Sequence, residues 1–130
     1  MDWTNIGEGE SLIPLIHEER LIRDSKLLRW KADYEFSGDG DYDELQLSFE
    51  FQVTHEEERF LFRLEMQAVT EYQLDFLKGR NSSYIEKLKL FAGGPGFYLS
   101  LNPFLENDLF DQQDEQVVLA KGLCGFRRGL

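Results

Sequence analysis

The chain has 130 residues, of which 42% are hydrophobic and 14% aromatic, and its net charge is −11. This length predicts one domain spanning residues 1–130, and the composition is typical of a folded protein and excludes a disordered chain. No apolar run approaches the roughly 20 residues that cross a membrane, and the acidic N-terminus does not resemble a signal peptide. Because Cys124 is the only cysteine, no intramolecular disulfide can form. We therefore expect a cytoplasmic protein.

The first predicted element is a short helix within residues 10–22. Apolar residues recur at helical spacing from Leu12 to Ile16, and Ser11 is a candidate N-cap. Pro14 falls in the first turn, where proline is tolerated because the N–H groups there have no helical partner.

Three amphipathic segments follow, with apolar residues at every second position from 28 to 36, from 45 to 53 and from 60 to 68. This alternation predicts half-buried antiparallel strands. If positions 36 and 45 pair, Lys31 lies opposite Glu50; if positions 53 and 60 pair, Arg63 also lies opposite Glu50. The third pattern runs on to Phe76, which is long for one strand, so we expect a bend or a bulge near residues 69–71.

The last third of the chain predicts more strands. Residues 84–101 fit a hairpin turned at residues 92–96, although Ser83 and Glu86 also fit a helix capping box. Residues 104–115 are expected to form an acidic loop, and residues 116–126 a final strand interrupted by glycines. The predicted fold is α+β, mainly β: an antiparallel sheet of about six strands, sandwich-like or strongly curled, with a short N-terminal helix.

The acidic residues are concentrated in two windows. Residues 32–58 contain ten acids and residues 103–116 contain five, with no Lys or Arg in either window, whereas the rest of the chain carries a net charge of +4. This distribution argues against binding to nucleic acid or to an anionic membrane and predicts a basic protein partner. The alternative is that an acidic surface only keeps the protein soluble.

The stretch "SGDGDYDE", residues 37–44, resembles a calcium-binding loop because three aspartates alternate there and Glu50 follows at the twelfth position. An EF-hand loop needs Gly at its sixth position and helices on both sides, but Glu44 occupies that position and a strand pattern follows. We therefore predict a hairpin turn and no metal site, and the sequence leaves open only weak, nonspecific binding of divalent ions by the aspartates.

Catalytic motifs are absent from the sequence. His17 and His55 have no partners arranged as in a catalytic triad, Cys124 lies in an apolar strand that suits a core residue, and "GGPG" lacks the Lys and Ser or Thr of a phosphate loop. We predict neither enzyme activity nor a cofactor.

The candidate partner-binding residues are the acids of the two windows together with one aromatic residue. Tyr42 would be an aromatic side chain among carboxylates, a composition that suits contact with a basic surface, or it would fold back over its own hairpin. The complete predicted set is Asp39, Asp41, Tyr42, Asp43, Glu44, Glu106, Asp108 and Asp111.

The order of elements resembles that of small, acidic, β-rich immunity proteins of bacterial toxin systems. A leading segment, "SLIPLIHEERLIRDSKLLRW", is followed by the strands "DELQLSFEF" and "RFLFRLEMQAV", then by "IEKLKLF" and "GFYLSL". The resemblance implies a protein that binds and masks a basic toxin or nuclease in the cytoplasm. The alternatives are a small-ligand-binding or enzymatic β-domain, and a structural subunit of a homo-oligomer; we expect a monomer or a homodimer.

Overall fold

The computed structural model describes residues 2–36, 43–75, 83–94 and 96–130. These residues form eight β-strands, a 3₁₀ turn at Gly9–Ser11 and one α-helix. Helix α1 is Leu12–Glu18, and the strands are β1 (Thr4–Glu8), β2 (Lys26–Phe36), β3 (Asp43–His55), β4 (Glu58–Gln73), β5 (Ser83–Tyr84), β6 (Lys89–Gly93), β7 (Gly96–Asn102) and β8 (Glu115–Gly129).

The strands form one antiparallel sheet in the order β5-β2-β3-β4-β8-β7-β6, and β1 also pairs with β8. The N-terminal half of β8 lies between β4 and β7, and its C-terminal half lies between β4 and β1. The sheet does not close. The predicted fold, α+β and mainly β with one short helix, is confirmed.

One face of the sheet carries the hydrophobic core. Alternate residues of the central strands β3 and β4 are buried on this face, as the period-two pattern predicts. Helix α1 packs on the same face through Leu12, and Gly125 of β8 makes this approach feasible: a Cβ atom there would lie 2.9 Å from Leu12 Cδ1. The core therefore consists of a sheet face and the segments that cover it, chiefly Leu12, Ile16, Leu21, Ile22, Leu47, Phe49, Phe51, Phe62, Leu64, Met66, Leu99, Val118 and Leu123.

The register of the β2–β3 hairpin differs from the predicted one. Tyr34, and not position 36, pairs with Leu45, so that Arg29 rather than Lys31 lies opposite Glu50. The β3–β4 register, with Arg63 opposite Glu50, is as predicted.

A bulge also corrects the predicted apolar face of β2. The register shifts between Leu27 and Arg29, and the bulged residue Leu28 is exposed while Leu27 is buried. A bulge inserts one unpaired residue and so reverses which side chains face the core. Because Leu27 and Leu28 are both apolar, the sequence pattern is compatible with either choice.

The predicted bulge in β4 is confirmed. The pairing of β4 with β8 shifts between Val69 and Glu71, and the preceding Ala68 has a φ of 51°. The pairing of β4 with β3 extends only as far as Met66 opposite Leu47, so the two strands separate where β4 bends. This bend turns the last residues of β4 toward β8 and the end of the sheet formed by β7 and β6.

The predicted hairpin in the last third is confirmed for β6 and β7, with no helix among its described residues. Its first strand begins at Lys89 and not at Tyr84, because β5 pairs with β2 and residues 85–88 form no strand. Gly94, with a φ of 60°, forms part of the turn, where glycine is favoured. Gly96 allows β7 to lie very close to β8, because a Cβ atom there would be 2.1 Å from the carbonyl oxygen of Ala120.

Candidate functional site

The loop of residues 103–114, which connects β7 to β8, covers the outer face of the sheet, opposite the core. Lys89 of β6 and Tyr98 of β7 project from this outer face, since their strand neighbours Leu90 and Leu99 belong to the core. The loop was predicted as an acidic surface segment. It is a loop, but its packing buries part of both strands from the second side.

A buried ion pair holds the loop on the sheet. Lys89 Nζ donates to Asp114 Oδ2 at 2.7 Å and to the carbonyl oxygen of Leu109 at 2.8 Å, and the side chains of Lys89 and Asp114 are both 0% exposed. The Tyr98 hydroxyl donates to the same Asp114 oxygen at 2.6 Å, and the Phe104 N–H donates to the other at 2.9 Å. Three donor groups, Lys89 Nζ, the Tyr98 hydroxyl and the Phe104 N–H, thus meet the two oxygens of one carboxylate, and two of them share Oδ2.

The protonation of this cluster follows from its contacts. Burial alone would raise the pKa of Asp114, but the hydrogen bonds from Lys89, Tyr98 and the Phe104 N–H outweigh it and lower that pKa. Burial, assisted by the nearby Asp114 carboxylate, raises the pKa of Tyr98. At neutral pH the cluster is therefore a carboxylate held by neutral and cationic donors, which is an arrangement that suits structure rather than proton transfer.

A second attachment holds the other part of the loop. Glu106 Oε1 accepts hydrogen bonds from Arg23 Nη2 and, at 2.9 Å, from the Leu88 N–H. Burial alone would raise the pKa of Glu106, but the Leu88 N–H and Arg23 lower it overall. Arg23 Nη1 also lies 3.5 Å from the Glu86 carbonyl oxygen, so that the loop is joined to the segment before β6 as well.

Aromatic rings complete the contact between loop and sheet. Phe110 of the loop meets Tyr98 edge to face, with ring centroids 5.0 Å apart, and meets Phe91 at 5.2 Å in the same manner. Such edge-to-face contacts stabilise beyond the area that they bury. Phe110 nevertheless remains more than half exposed, so one side of its ring faces solvent.

A groove opens between this loop and the bent end of β4. Its volume is about 680 Å³, within the range of ligand-binding clefts. Carboxylates, aromatic rings and aliphatic side chains line it, and the described lining includes no Lys or Arg. The lining residues are Glu71, Tyr72, Gln73, Tyr98, Phe110, Asp111, Gln112, Asp114, Val117 and Leu119.

The three carboxylates of the groove differ in their engagement. Asp114 is paired with Lys89, and one oxygen of Asp111 accepts the Gln113 N–H at 2.8 Å. Within the described residues no Lys or Arg forms an ion pair with Glu71 or Asp111. The groove therefore presents two carboxylates together with the exposed ring of Phe110 and the half-exposed ring of Tyr72.

The structure places the predicted partner-binding residues in two separate regions. Asp111 lines the groove, Asp108 is exposed on the same loop, and Glu106 is held by Arg23. Glu44 is exposed at the start of β3, in the other acidic window, and Asp43 precedes it with only its backbone described. The other predicted residues, Asp39, Asp41 and Tyr42, lie outside the described residues.

Glu50 belongs to the sheet and not to any ligand site. Arg29 Nε lies 3.0 Å from one of its oxygens and Arg63 Nη2 lies 2.9 Å from the other. The expectation that Glu50 sits between two cations on the outer face is confirmed, with Arg29 in place of Lys31 as the partner on β2. Cross-strand pairing accounts for this glutamate.

His17 and Cys124 occupy structural positions. His17 of α1 is within hydrogen-bonding distance of the Leu90 carbonyl oxygen, at 3.1 Å, at the edge strand β6. Cys124 is buried, and burial raises the pKa of its thiol, which disfavours the reactive thiolate. In residues 2–36, 43–75, 83–94 and 96–130, no three His, Cys, Asp or Glu side chains form a group that could hold a metal ion.

Sequence reasoning missed most of the groove. Lys89 alternates with Leu88 and Leu90, which indicates an outward-facing lysine, and this direction is right; the loop that covers it comes from 14 or more positions later in the chain. Tyr98 and Phe110 looked like ordinary members of a strand and a loop. One usable signal was present: Lys89 lies in a short, otherwise apolar strand pattern, and Asp114 lies at the end of an acidic window directly before a strand.

No helix among the described residues is both long and apolar enough to cross a membrane. Comparison of the chain with protein-family models, with curated proteins and with solved structures found no match.

Proposed function

We propose that the protein is an acidic protein-binding module that binds a basic protein partner in the cytoplasm. The observation that carries this proposal is the groove beside the loop of residues 103–114. It combines the carboxylates of Glu71 and Asp111 with the exposed faces of Tyr72 and Phe110, and its described lining has no basic residue.

This combination suits an arginine or lysine side chain of the partner. An aromatic ring attracts a cation over its face, and a carboxylate adds a charge-assisted hydrogen bond. Aromatic residues that lie at the centre of a protein interface contribute much of its binding energy, whereas charges at its rim chiefly set the rate of association. The net charge of −11 would speed the approach of a basic partner.

The partner class that we propose is a basic toxin or nuclease, which the protein would mask as an immunity protein does. Two properties support this class: the confinement of acidity to two windows, and the resemblance in the order of elements. The exposed Glu44 and the groove lie in different windows, so one basic partner would have to be broad enough to reach both, or would use only one of them.

The test is affinity capture from the organism that makes the protein, followed by identification of the bound proteins and measurement of their affinity. Four forms are compared: the wild type, Glu71→Lys in the groove, Glu44→Lys in the other window, and Glu18→Lys on helix α1 as a matched control. Each variant replaces an exposed acid by lysine and so changes the net charge equally.

We expect a basic protein to be captured by the wild type and by Glu18→Lys, and its Kd to rise at least tenfold with Glu71→Lys. An unchanged Kd for Glu71→Lys with a raised Kd for Glu44→Lys would move the site to the hairpin. Capture of only neutral or acidic proteins, or equal loss with Glu18→Lys, would refute binding of a basic partner at either place.

A second candidate is a small-ligand-binding domain, which the groove volume of about 680 Å³ favours. The same lining would then hold a small organic cation between Tyr72 and Phe110. Titration calorimetry with a panel of quaternary ammonium and guanidinium compounds distinguishes the two candidates. If the groove binds a small cation, the wild type gives a heat of binding that Glu71→Lys abolishes, and affinity capture recovers no basic protein.

A further inference from the structure

Strand β2 lies at one border of the sheet and is paired along most of its length on one side only. It pairs with β3 from Lys26 to Phe36, whereas β5, on its other side, pairs only with Lys26 and Leu27. Among the described residues, no strand pairs with β2 on that side from Arg29 onward. Such an edge presents backbone N–H and C=O groups that can pair with another strand.

At the opposite border of the sheet, another segment of the chain contacts the edge strand β6. The short strand β6 is approached by helix α1, where the His17 ring lies 3.1 Å from the Leu90 carbonyl oxygen, and Lys89 of β6 is directed into the buried cluster. Among the described residues the two borders therefore differ: His17 of α1 contacts the backbone of β6, and β5 pairs with only two residues of β2.

The side chains along β2 have a polar order. On the outer face, the basic residues Arg29 and Lys31 come first and the acidic residue Asp33 follows, and Lys31 and Asp33 are 68% and 54% exposed. On the core face, Trp30, Ala32 and Tyr34 alternate with them, and Tyr34 is 67% exposed although it is large and aromatic. Residues 43–46 of β3, which precede Leu47, have no partner on β4, so this part of the β2–β3 hairpin projects from the core.

This order is complementary to itself in the antiparallel direction. If two copies pair through β2 about a two-fold axis at Ala32, Lys31 of each copy lies opposite Asp33 of the other, and Trp30 lies opposite Tyr34. The same register places position 29, an arginine, opposite position 35, a glutamate. Opposite charges and aromatic pairs that face each other across antiparallel strands are stabilising.

The charges also select this register. An axis at position 31 would place Lys31 opposite Lys31 of the other copy, and an axis at position 33 would do the same for Asp33. Like charges directly opposite each other destabilise a pair of strands. Charges on an edge strand commonly prevent pairing, but that protection needs an arrangement that repels a second copy.

We propose that the protein forms a symmetric homodimer in which the β2 strands of two copies pair antiparallel about Ala32 and join the two sheets into one. The interface is isologous, since each copy contributes the same strand. Within one copy Lys31 is 3.4 Å from Asp33, and Arg29 is paired with Glu50. The Lys31–Asp33 pair is exposed and therefore weak, so dimer formation can share these two charges with the second copy. This proposal is independent of the basic partner proposed above, because the groove is lined by β4, β7, β8 and the loop of residues 103–114 and not by β2.

The test uses charge reversal and mixing. Lys31→Glu places acid opposite Asp33 twice in the dimer, and Asp33→Lys places base opposite Lys31 twice, whereas a mixture of the two variants restores opposite charges at both contacts. Lys121→Glu, an exposed lysine on β8, makes the same change in charge as Lys31→Glu but away from the edge, and it serves as the control for that variant. Masses are measured by analytical ultracentrifugation from about 1 µM to about 300 µM, and circular dichroism checks that each variant is folded.

We expect the wild type and Lys121→Glu to reach twice the monomer mass of 15.3 kDa. Each single edge variant should raise the dimer Kd about tenfold or more, and the equimolar mixture should return it to near the wild-type value. A wild type that stays monomeric throughout this range would overturn the proposal. Edge variants that dimerise as well as Lys121→Glu would overturn it as well, and so would a mixture that dimerises no more tightly than its folded components. If one edge variant failed to fold, the dimer Kd of the other edge variant would still test the proposal.

Discussion

The buried pair of Lys89 and Asp114 gives the sharpest prediction about stability. Asp114→Asn keeps the size of the side chain and one accepting oxygen, for Tyr98 or for the Phe104 N–H, but it removes the negative charge. Lys89, whose side chain is fully buried, then has only neutral acceptors near its charge among the described residues, such as the Leu109 carbonyl oxygen.

The expected loss follows from that uncompensated charge. Removing one partner of a buried ion pair typically costs about 3–5 kcal/mol, because the other charge remains away from water. A domain of this kind has a free energy of unfolding of about 5–15 kcal/mol, so the variant would lose a large share of it. With a denaturant slope of about 2 kcal/mol/M in urea, the unfolding midpoint would fall by about 1.5–2.5 M.

Urea unfolding followed by circular dichroism measures this loss. Asp108→Asn, on the same loop but exposed, is the matched control, and its free energy of unfolding should change by less than about 0.5 kcal/mol. The double variant Lys89→Met with Asp114→Asn removes both charges and keeps the acceptor for Tyr98, so it should recover most of the stability that Asp114→Asn loses. If Asp114→Asn lost less than about 1 kcal/mol, or if the double variant were less stable than Asp114→Asn, the assignment of Lys89 as a buried cation would be wrong.

Three further predictions concern pH, packing and the outer face. The pKa values of Asp114 and Glu106 are lowered in the folded protein. The two carboxylates therefore stabilise the fold above their unfolded-state pKa values of about 4, and this stabilisation is lost as the pH falls below them. The urea midpoint should drop in acid, and it should drop less steeply in Asp114→Asn than in Asp108→Asn. Gly125→Ala should lower the free energy of unfolding by about 1–3 kcal/mol, because the new Cβ would meet Leu12 at 2.9 Å inside the core. Gly9→Ala is the comparison: a Cβ there meets nothing within 4 Å, so any loss of stability would come from the positive φ of that residue and not from a clash. Glu50→Gln should cost about 1 kcal/mol, since Arg63 loses its charged partner at a site where Glu50 is 14% exposed; no loss in urea unfolding at low salt would show that the cross-strand pairs contribute nothing.

The strands were predictable because their pattern is local. Side chains that alternate between a sheet's two faces require only a backbone of the right length, so the periods in residues 45–53 and 60–68 appear in the sequence itself. The break near residues 69–71 was equally visible, because the apolar alternation there exceeds the length of an ordinary strand. The β2 register was not, since Leu27 and Leu28 both suit the core and only the pairing with β3 decides which of them is bulged.

The groove was not predictable for a different reason. Its floor comes from the ends of β4, β7 and β8, and its wall from the loop of residues 103–114, so its residues are brought together only by the pairing of distant strands. The direction of Lys89 followed from alternation, but its burial depended on which segment covers the outer face. An acidic window in a sequence likewise does not reveal which acids are held by internal partners.

The loop of residues 103–114 contributes less available charge than its composition suggests. Glu106 is engaged by Arg23 and Asp114 by Lys89, which leaves the exposed Asp108 and the half-buried Asp111 without an ion pair among the described residues, and Glu71 of β4 lines the same groove as Asp111. A variant can therefore weaken partner binding without lowering stability, but a variant that releases the loop should weaken both. Glu71→Lys should weaken the proposed binding without lowering the unfolding midpoint, because within the described residues the Glu71 side chain forms no ion pair that holds another element. Asp114→Asn should weaken both, although Asp114 is already neutralised by Lys89, because the position of Phe110 and Asp111 in the groove depends on the attachment that Asp114 makes.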